Sequence, residues 1–425
     1  MWTLNPSSWK VRISLKKHKT LGDKKKLLIL GGSPNQLRLV EAAKKAGIYT
    51  VVCNWSDDCA AREACDKFYA QNYLDKEQVL AIAKDEKVDG VISNSEAAML
   101  IVAYVAEKLG LPGNSVRGIE QLVSKTEFRQ LQRNVGVYAP RNFECGSWEE
   151  FEKQVDGLTF PIIIKPCESS GTRGTTRVDS KEDKESQRKA FEECQHFSVN
   201  DRVSVEEFVE MPLLTVIDGD VFVCNGEYLW NGFFTCYRSR HATMLPMMES
   251  FPIVISDKDF DVVKDHIKRI FAQAGIVHGQ YNAEMYFTNT GELFVIEINA
   301  RQGGVNIPHL IELHSSIDFD KLLVTTAVGD NSGFKKALNA KHEIRYITQF
   351  LVFSRSNGVL NHVEIQQELM PYLIERTDLK KPGDDVVVGM NAGDSIARLV
   401  FDFKDFETQQ HYVNDIENYV SAIVD

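Results

Sequence analysis

Three absences limit what this chain of 425 residues can be. No apolar run approaches the ~20 residues that are needed to cross a bilayer. The eight cysteines contain no CxxC pair and no zinc-like spacing, and a net charge of −11 argues against a general nucleic-acid binder. We therefore expect a soluble cytoplasmic protein with reduced thiols, with neither a membrane nor a nucleic acid as partner.

Common targeting and catalytic motifs are missing as well. Residues 1–23 form a basic leader that lacks the apolar centre of a signal peptide. The chain has no GxxxxGK(S/T) phosphate loop and no GxSxG nucleophile motif. Gly31 and Gly32 form a turn without GxGxxG spacing, and no acidic residue closes the following strand. A NAD-dependent dehydrogenase is therefore supported by that turn alone.

What is present is an alternation of strands and helices. From Lys25, KKLLIL predicts a buried strand, LRLVEAAKKAG a helix and IYTVVCNW a second strand, which together form a βαβ unit. From about Ser124 the predicted elements include short strands joined by turns, which favours an antiparallel or mixed sheet. The sequence thus predicts an α/β region followed by α+β regions in a multidomain protein.

The stretch VIEINARQGG combines a polar and an apolar stripe. If it is a strand, Glu297, Asn299 and Arg301 lie on one face, whereas Ile296 and Ile298 lie on the other. The apolar face is explained by packing. The polar face is either exposed to solvent or forms part of a site.

The preceding residues, YNAEMYFTNTG, predict that this strand belongs to a hairpin. If Asn289 is opposite Glu292, Glu284 is opposite Glu297, and two facing carboxylates repel each other. A hard cation between them would remove the repulsion, and Asn299 would add a neutral oxygen ligand. Few protein ligands, all of them oxygens, suit Mg²⁺ completed by water and phosphate.

A second polar segment, IIIKPCESSGTRGTTRV, combines glycines, hydroxyls and arginines. Lys165 ends its apolar run, from where an ammonium can reach into a cleft. The loop is suited to closing over phosphate oxygens, and equally to being an exposed hairpin. Lys125, near the start of a helix, is by itself more typical of a solvated lysine. In VSVEEFVE, Glu206 and Glu207 are either surface carboxylates or acceptors for an adenine amino group.

In this order the features resemble the ATP-grasp superfamily, in particular its carboxylate–amine ligases, over about residues 25–330. The tail resembles the additional C-terminal lobe of amino-acid ligases. The resemblance implies an ATP-grasp fold with these parts: a leader (1–23), a Rossmann-like pre-ATP-grasp α/β domain (24–118), a small lid subdomain (119–205), a large subdomain with the metal site (206–330) and a C-terminal lobe packed on the core (331–425).

The resemblance also implies roles for individual residues. Arg301 would be catalytic, and Glu284, Glu297 and Asn299 would hold one or two Mg²⁺ or Mn²⁺ ions. The residues implied to bind ATP, as phosphate ligands, lid loop or adenine hinge, are Lys125, Lys165, Ser169, Ser170, Gly171, Thr172, Gly174, Thr175, Glu206, Glu207, Phe208 and Val209. Leu213 replaces the acidic residue that contacts ribose in many members, so the resemblance does not distinguish ATP from GTP at that position.

The implied reaction is activation of a carboxylate as an acyl phosphate, followed by attack of an amine to give an amide, ADP and phosphate. The substrates would be small carboxylates and amines that resemble amino acids, and a homodimer is left open. Candidate substrate residues are Arg238, Arg240, His241, Gly303 and Gly304. The alternatives are another ATP-grasp activity, either a carboxylase or a kinase-like phosphoryl transfer, and a nucleotide-binding regulatory protein without turnover.

Overall fold

The computed structural model describes residues 24–167, 174–198, 200–239, 245–304, 306–341 and 343–425. Its first part alternates strands and helices, as the sequence predicts. The elements of this part are β1 (Lys26–Leu30), α1 (Pro34–Lys45), β2 (Tyr49–Asn54), β3 (Lys67–Ala70), α2 (Lys76–Glu86), β4 (Gly90–Ile92) and α3 (Met99–Leu109). The strands form a parallel sheet in the order β3-β2-β1-β4.

Local sequence explains most of this part. β1 and β2 are almost wholly buried, and α1 begins at Pro34 because Ser33 and Gln36 form a capping box. β3 has no counterpart among the predicted strands. It is an edge strand with no buried residue, so it has no apolar run to indicate it.

A second, antiparallel sheet follows. The helices and strands of this part of the chain are α4 (Val116–Val123), α5 (Lys125–Asn134), β5 (Asn142–Cys145), α6 (Trp148–Val155), β6 (Ile162–Pro166), β7 (Thr176–Val178), α7 (Lys184–Phe197) and β8 (Val203–Glu207). The strand order is β5-β8-β6-β7. Phe151 and Phe191 lie in a separate apolar core beneath this sheet. The loop between β6 and β7 includes residues outside the described part.

The third part is built on an eight-stranded antiparallel sheet, in the order β13-β12-β9-β10-β11-β14-β18-β16. Its first elements are β9 (Thr215–Cys224), β10 (Glu227–Arg238), β11 (Pro246–Ser250), α8 (Asp257–Ala274), β12 (His278–Phe287), β13 (Leu293–Asn299), α9 (Ile307–Ser315), α10 (Phe319–Ala327) and α11 (Ser332–Asn339). The last elements are β14 (Tyr346–Val352), β15 (Gly358–Ile365), β16 (Leu373–Asp378), β17 (Asp385–Val386), β18 (Ala397–Phe403), α12 (Phe406–Val413) and β19 (Val420–Val424).

This large sheet crosses the boundary that the sequence placed near residue 330. β14 pairs with β11, and β18 and β16 extend the sheet further, while β17, β15 and β19 form a small sheet of their own. The predicted mixture of a parallel sheet with antiparallel sheets is confirmed. Among the described residues, no helix is both long and apolar enough to cross a membrane.

Strand alternation gives the large sheet two different faces. Ile217 and Val221 of β9 belong to an apolar core that includes Ile267 of α8. Val216 and Phe222 belong to a second core, with helices α9 to α11. By the same alternation, Asp218 and Asp220 lie on the same face of the sheet as Phe222. This face therefore has a polar region, and the candidate site lies in that region.

Candidate active site

The hairpin of β12 and β13 sets the geometry of the site. Glu284 is directly opposite Glu297, so the predicted pairing of the two carboxylates is confirmed. The predicted pairing of Asn289 with Glu292 is wrong, because the Thr288 N–H donates to the Glu292 carbonyl at 2.9 Å. The register shifts between Glu284 and Met285, and this β-bulge accounts for both observations.

The side chain of Glu284 has a partner that the sequence did not indicate. Nη2 of Arg238, at the end of β10, contacts Oε1 of Glu284, and the two side chains are 11% and 19% exposed. Glu297 is exposed and accepts from Nδ2 of Asn299 at 2.8 Å. A guanidinium therefore offsets part of the repulsion between the carboxylates. Arg238 was predicted as a substrate ligand, and it lies beside the predicted metal ligands.

These residues fit a hard divalent cation. The described chain has no group of three or more His, Cys, Asp or Glu side chains placed to hold a metal ion. Glu284 and Glu297 face each other, and Asn299 lies beside them. The amide nitrogen of Asn299 donates a hydrogen bond to Glu297, so the three side chains offer oxygen atoms as metal ligands. Mg²⁺ accepts such a sparse set, because it retains water and phosphate ligands.

A small cavity brings several predicted residues together. It has a volume of about 40 Å³ and is lined by Lys125, Lys165, Glu297 and Asn299, which come from three different elements. The Lys125 ammonium donates to the Cys167 carbonyl at 3.0 Å. Two lysines and two candidate metal ligands thus meet at one place, although they are far apart in the chain.

The position of Lys165 is set by a buried network that the sequence did not predict. Arg129, 2% exposed, donates from Nε to Glu206 at 2.9 Å, and the Lys165 ammonium contacts the same carboxylate. Arg129 and Gln132 also donate to the Val295 carbonyl, at 3.1 and 2.9 Å. Because Val295 belongs to β13, this network joins Lys165 to the hairpin. The spacing RQLQ on an amphipathic helix was the available signal, but it is typical of a solvated face.

The electrostatics of this network keep Glu206 ionised. Burial by itself would raise the pKa of Glu206, but the charges and hydrogen bonds of Arg129 and Lys165 outweigh it and lower that pKa to about 2. Burial lowers the pKa of Lys165, and Glu206 opposes this change. The carboxylate of Glu206 is therefore ionised and paired with two cationic side chains of the protein.

The predicted adenine hinge begins with Glu206 and Glu207, the last two residues of β8, and continues to Val209. Glu207 accepts from Nε of Arg141 at 2.9 Å and from the Thr159 N–H at 2.7 Å. The Phe208 N–H donates to the Pro161 carbonyl at 2.9 Å, and the Val209 carbonyl accepts from the Tyr286 hydroxyl at 2.6 Å. Since both hinge carboxylates have internal partners, a contact with adenine would depend on backbone groups. Leu213 is 66% exposed.

The predicted lid loop lies mostly outside the described residues. This applies to Ser169, Ser170, Gly171 and Thr172. Gly174 and Thr175 are described and precede β7. Gly174 has a φ of +70°, and a Cβ there would lie 3.0 Å from the ring of Phe197, so glycine is required at this position.

Arg301 connects the hairpin with the N-terminal sheet. Its Nη2 donates to Oε2 of Glu96 at 3.2 Å, and its Nη1 donates to the Gln302 carbonyl at 2.9 Å. Glu96 follows β4 in a short 3₁₀ turn and also lines the cavity with the two lysines. Arg301 is thus connected to that cavity through its ion pair with Glu96. The sequence did not indicate Glu96 as its partner.

The remaining substrate candidates have different environments. Arg240 and His241 lie outside the described residues. The Gly303 N–H donates to both carboxylate oxygens of Asp220 at 3.0 Å, and a Cβ on Gly303 would lie 3.0 Å from the nearer one. The glycine is therefore explained by Asp220. A Cβ on Gly304 would have no atom within 4 Å.

Three acids on the site face, two of them buried and one partly buried, have raised pKa values. Burial raises the pKa of Asp220 to about 6, although the Gly303 N–H and the Gln280 amide lower it in part. Burial raises the pKa of Glu249 to about 7, and the Gln349 amide opposes this rise. Asp218 has a raised pKa for the same reason. The two acids inside the apolar stretch TVIDGDVFVC were the sequence signal for this group.

Two family models match successive parts of the chain. The model described as "ATP-grasp N-terminal domain" matches residues 40–113, and "Carbamoyl-phosphate synthase L chain, ATP binding domain" matches residues 124–306. Both matches support membership of the chain in the ATP-grasp superfamily.

Curated relatives are distant and longer. The uncharacterised protein y4rH of Sinorhizobium fredii is 24% identical over 285 residues, which are 67% of this chain and 57% of that protein. The carbamoyl phosphate synthase large chain of Thermotoga petrophila is 24% identical over 302 residues, 66% of this chain and 26% of that protein. The chain therefore spans only part of the length of these relatives.

Solved structures share the fold over nearly the whole chain. The L-amino acid ligase from Bacillus licheniformis has a TM-score of 0.76 at 17% identity and covers 95% of this chain and 99% of its own. The phosphoribosylglycinamide synthetase from Anaerococcus prevotii has a TM-score of 0.70 at 20% identity, with coverages of 95% and 100%. The predicted ATP-grasp fold is confirmed.

Proposed function

We propose that the protein is an ATP-dependent ligase that activates a carboxylate as an acyl phosphate and couples it to an amine. The observation that carries the proposal is the cavity in which Lys125 and Lys165 meet Glu297 and Asn299. Opposite charges at one place suit a phosphate chain with its cation. The proposed reaction requires the protein only to position the substrates and to neutralise charge, and it needs no covalent protein nucleophile.

Each group has a role in this proposal. Lys125 and Lys165 would bind phosphate oxygens, with Lys165 positioned by Glu206. Glu284, Glu297 and Asn299 would hold Mg²⁺, which when bound would neutralise phosphate charge. The loop with Ser169, Ser170, Gly171 and Thr172 would close over the phosphates, and the hinge would bind adenine through its backbone.

The proposed chemistry has two balanced steps. A carboxylate oxygen attacks the γ-phosphorus of ATP, and the bond to the β-phosphate oxygen breaks to release ADP. An amine nitrogen then attacks the acyl carbon, the bond to the phosphate oxygen breaks, and the departing phosphate takes the proton that the nitrogen loses. Arg301 would stabilise the negative charge that develops on the acyl oxygen. Small carboxylates and amines would be the partners, and the cytoplasm, where ATP is abundant, is the proposed location.

The test is phosphate release from Mg-ATP with pooled carboxylates, with and without pooled amines, and product masses measured by mass spectrometry. We expect phosphate release that depends on one carboxylate pool and amide formation that depends on one amine pool. Lys165→Met should reduce both about 100-fold or more. Lys153→Met, an exposed lysine on α6, is the matched control and should retain activity. ATP binding without any release that depends on a pool would refute the ligase assignment.

The same measurement separates the alternatives. A carboxylase would release phosphate with bicarbonate and without any amine. A kinase-like enzyme would give a stable phosphorylated product and ADP without free phosphate. A regulatory protein would bind ATP without releasing ADP.

A further inference from the structure

A cavity in the C-terminal lobe lies apart from the candidate active site. It has a volume of about 220 Å³ and lies between the end of β14 and β19, and the start of β11 and the loop after β17 complete its walls. None of the described residues that line it also lines the cavity with Lys125 and Lys165, and it is several times larger than that cavity. It is called the C-terminal cavity below.

The inner part of the C-terminal cavity is apolar. Its lining includes five buried side chains, those of Leu245, Met247, Phe350, Val352 and Val420. A cavity of about 150 Å³ with a lining of this kind accepts a benzene ring. The C-terminal cavity therefore has room for a benzyl group or a branched aliphatic group.

Both signs of charge are also present in the lining. Arg355 and Glu417 line the cavity and form an ion pair, with 3.2 Å between Nη2 and Oε1. Their side chains are 62% and 27% exposed, so a ligand that enters from solvent can reach both. An ion pair at the surface contributes little to stability. A ligand that offers a charge to each partner can therefore replace this contact at low cost.

The wall that carries Arg355 is formed in advance. The Ser354 hydroxyl donates to the Ser356 carbonyl and accepts from the Ser356 N–H, which fixes the turn after β14. The Gly389 N–H donates to the Ser354 carbonyl at 3.2 Å, and a Cβ on Gly389 would lie 2.6 Å from the ring of Phe353. The loop after β17 thus packs closely on the end of β14, and a preformed wall lowers the entropic cost of binding.

We infer that the C-terminal cavity binds a free α-amino acid with an apolar side chain. The α-carboxylate pairs with Arg355, the α-ammonium pairs with Glu417, and the side chain packs against Phe350 and Val352. A simple amine or a simple acid would leave one member of the ion pair without a partner. A charged side chain would lose its hydration in the apolar part of the cavity. This site lies outside the proposed catalytic site, and the inference does not depend on the ligase function.

Calorimetric titration of the full-length protein, without ATP and Mg²⁺, tests the class of ligand. The probes are L-phenylalanine, phenethylamine, which lacks the carboxylate, and hydrocinnamate, which lacks the ammonium. We expect L-phenylalanine to bind at least about tenfold more tightly than either analogue, because each analogue loses one charged contact. L-Glutamate should not bind.

Two charge variants assign the contacts. Arg355→Met should weaken binding of L-phenylalanine at least about tenfold without weakening binding of phenethylamine. Glu417→Gln should weaken L-phenylalanine to a similar extent without weakening hydrocinnamate. The matched control is Arg376→Met, because Arg376 is an exposed arginine of the same lobe that is paired with Asp378 at 2.9 Å outside the cavity. It should bind all three compounds like the wild type.

A third variant tests the apolar part. Ala422→Leu fills the cavity from β19 and should remove binding of L-phenylalanine. If this variant does not fold, Arg355→Met decides the inference alone, since Arg355 is exposed and its replacement leaves the core unchanged.

Three results would overturn the inference. They are no binding of L-phenylalanine to the wild type, equal affinities for L-phenylalanine and phenethylamine, and an unchanged affinity for L-phenylalanine in Arg355→Met. The last result combined with a loss of binding in Arg301→Lys would place the amino acid in the candidate active site. Because no ATP is present, a failure of the ligase assay leaves the outcome of these titrations unaffected.

Discussion

The carboxylate of Glu284 contacts the guanidinium of Arg238 on the floor of the candidate metal site. The opposite carboxylate, that of Glu297, is exposed and is bonded to the amide of Asn299. The two facing acids of the hairpin are therefore not equivalent. One is part of a largely buried ion pair, whereas the other is directed to solvent and to the lysine-lined cavity.

This asymmetry predicts that neutralising the two acids has different effects on stability. Glu284→Gln removes one largely buried counter-charge of Arg238 and should lower the free energy of unfolding by about 1–3 kcal/mol in EDTA. Glu297→Gln should change it by less than about 0.5 kcal/mol, or raise it, because it removes repulsion. Urea denaturation measures both, with Glu292→Gln at the exposed turn as the control. An equal loss in both hairpin variants would contradict the asymmetry.

The effect of Mg²⁺ on the melting temperature should depend on Glu284 and Glu297. We expect Mg²⁺ together with ADP to raise the melting temperature of the wild type, because a ligand that binds only the folded state stabilises it. Glu297→Gln and Glu284→Gln should each lose most of this increase, while Lys153→Met retains it. The same increase in all four proteins would place the cation elsewhere.

The network around Glu206 predicts a loss of stability in acid. The folded-state pKa of Glu206, about 2, is lower than its usual value, so its contribution is fully present above the unfolded-state pKa near 4.3 and is lost as the pH falls toward 2. Glu206→Gln should cost about 3–5 kcal/mol at pH 7, because two cations lose their buried partner.

The pH dependence distinguishes this contribution from a simple packing defect. The difference in unfolding free energy between wild type and Glu206→Gln should shrink as the pH falls from 5 to 3. A packing defect would give a difference that does not change with pH. Glu152→Gln, at an exposed position on α6, is the control.

Glu249 predicts the opposite trend. Burial raises its folded-state pKa to about 7, above the unfolded-state value near 4.3. Its charge is faced by Asp218, which raises the pKa, and by Arg238 and the Gln349 amide, which lower it. The stability of the wild type relative to Glu249→Gln should therefore fall as the pH rises from about 4 to about 7, by a few kcal/mol.

The control for this trend is Glu364→Gln, an exposed position on β15. Its unfolding free energy is measured beside that of Glu249→Gln at pH 4 and at pH 7. A Glu249→Gln difference that stays constant over this range would contradict the raised pKa of Glu249.

Arg301 predicts a separation of catalysis from nucleotide binding. Arg301→Lys keeps the charge but loses the planar donor pair, and we expect kcat to fall about 100-fold while the Kd for Mg-ATP changes less than about twofold. Glu96→Gln removes only the partner of Arg301, so its loss of kcat should be smaller. A loss of ATP affinity as large as the loss of kcat would make Arg301 a nucleotide ligand instead.

The pairing of Glu284 with Glu297 was predictable from the sequence, but by a route that contained an error. The predicted turn placed Asn289 opposite Glu292, whereas the turn is one residue longer and a bulge within β13 restores the register. Alternation predicts which residues share a face, but a bulge depends on contacts across the whole sheet. The order of motifs was sufficient for the superfamily.

The partners of the site residues were not predictable in the same way. Arg129 and Arg238 are ordinary basic residues in the sequence, and only the fold buries them against Glu206 and Glu284. The continuation of the large sheet past residue 330 likewise depends on the pairing of β11 with β14. Such contacts join segments that are distant in the chain, so the local periodicity of the sequence does not predict them.

The sequence alone determined the class of fold and the facing carboxylates of the hairpin, because strand alternation and the order of elements are local properties. The tertiary structure decided which charge Glu284 meets and which lysines share a cavity with Glu297. Burial is the physical reason. Removal from water makes the pairing of a charge or a carboxamide a matter of several kcal/mol, and burial is a property of the assembled fold.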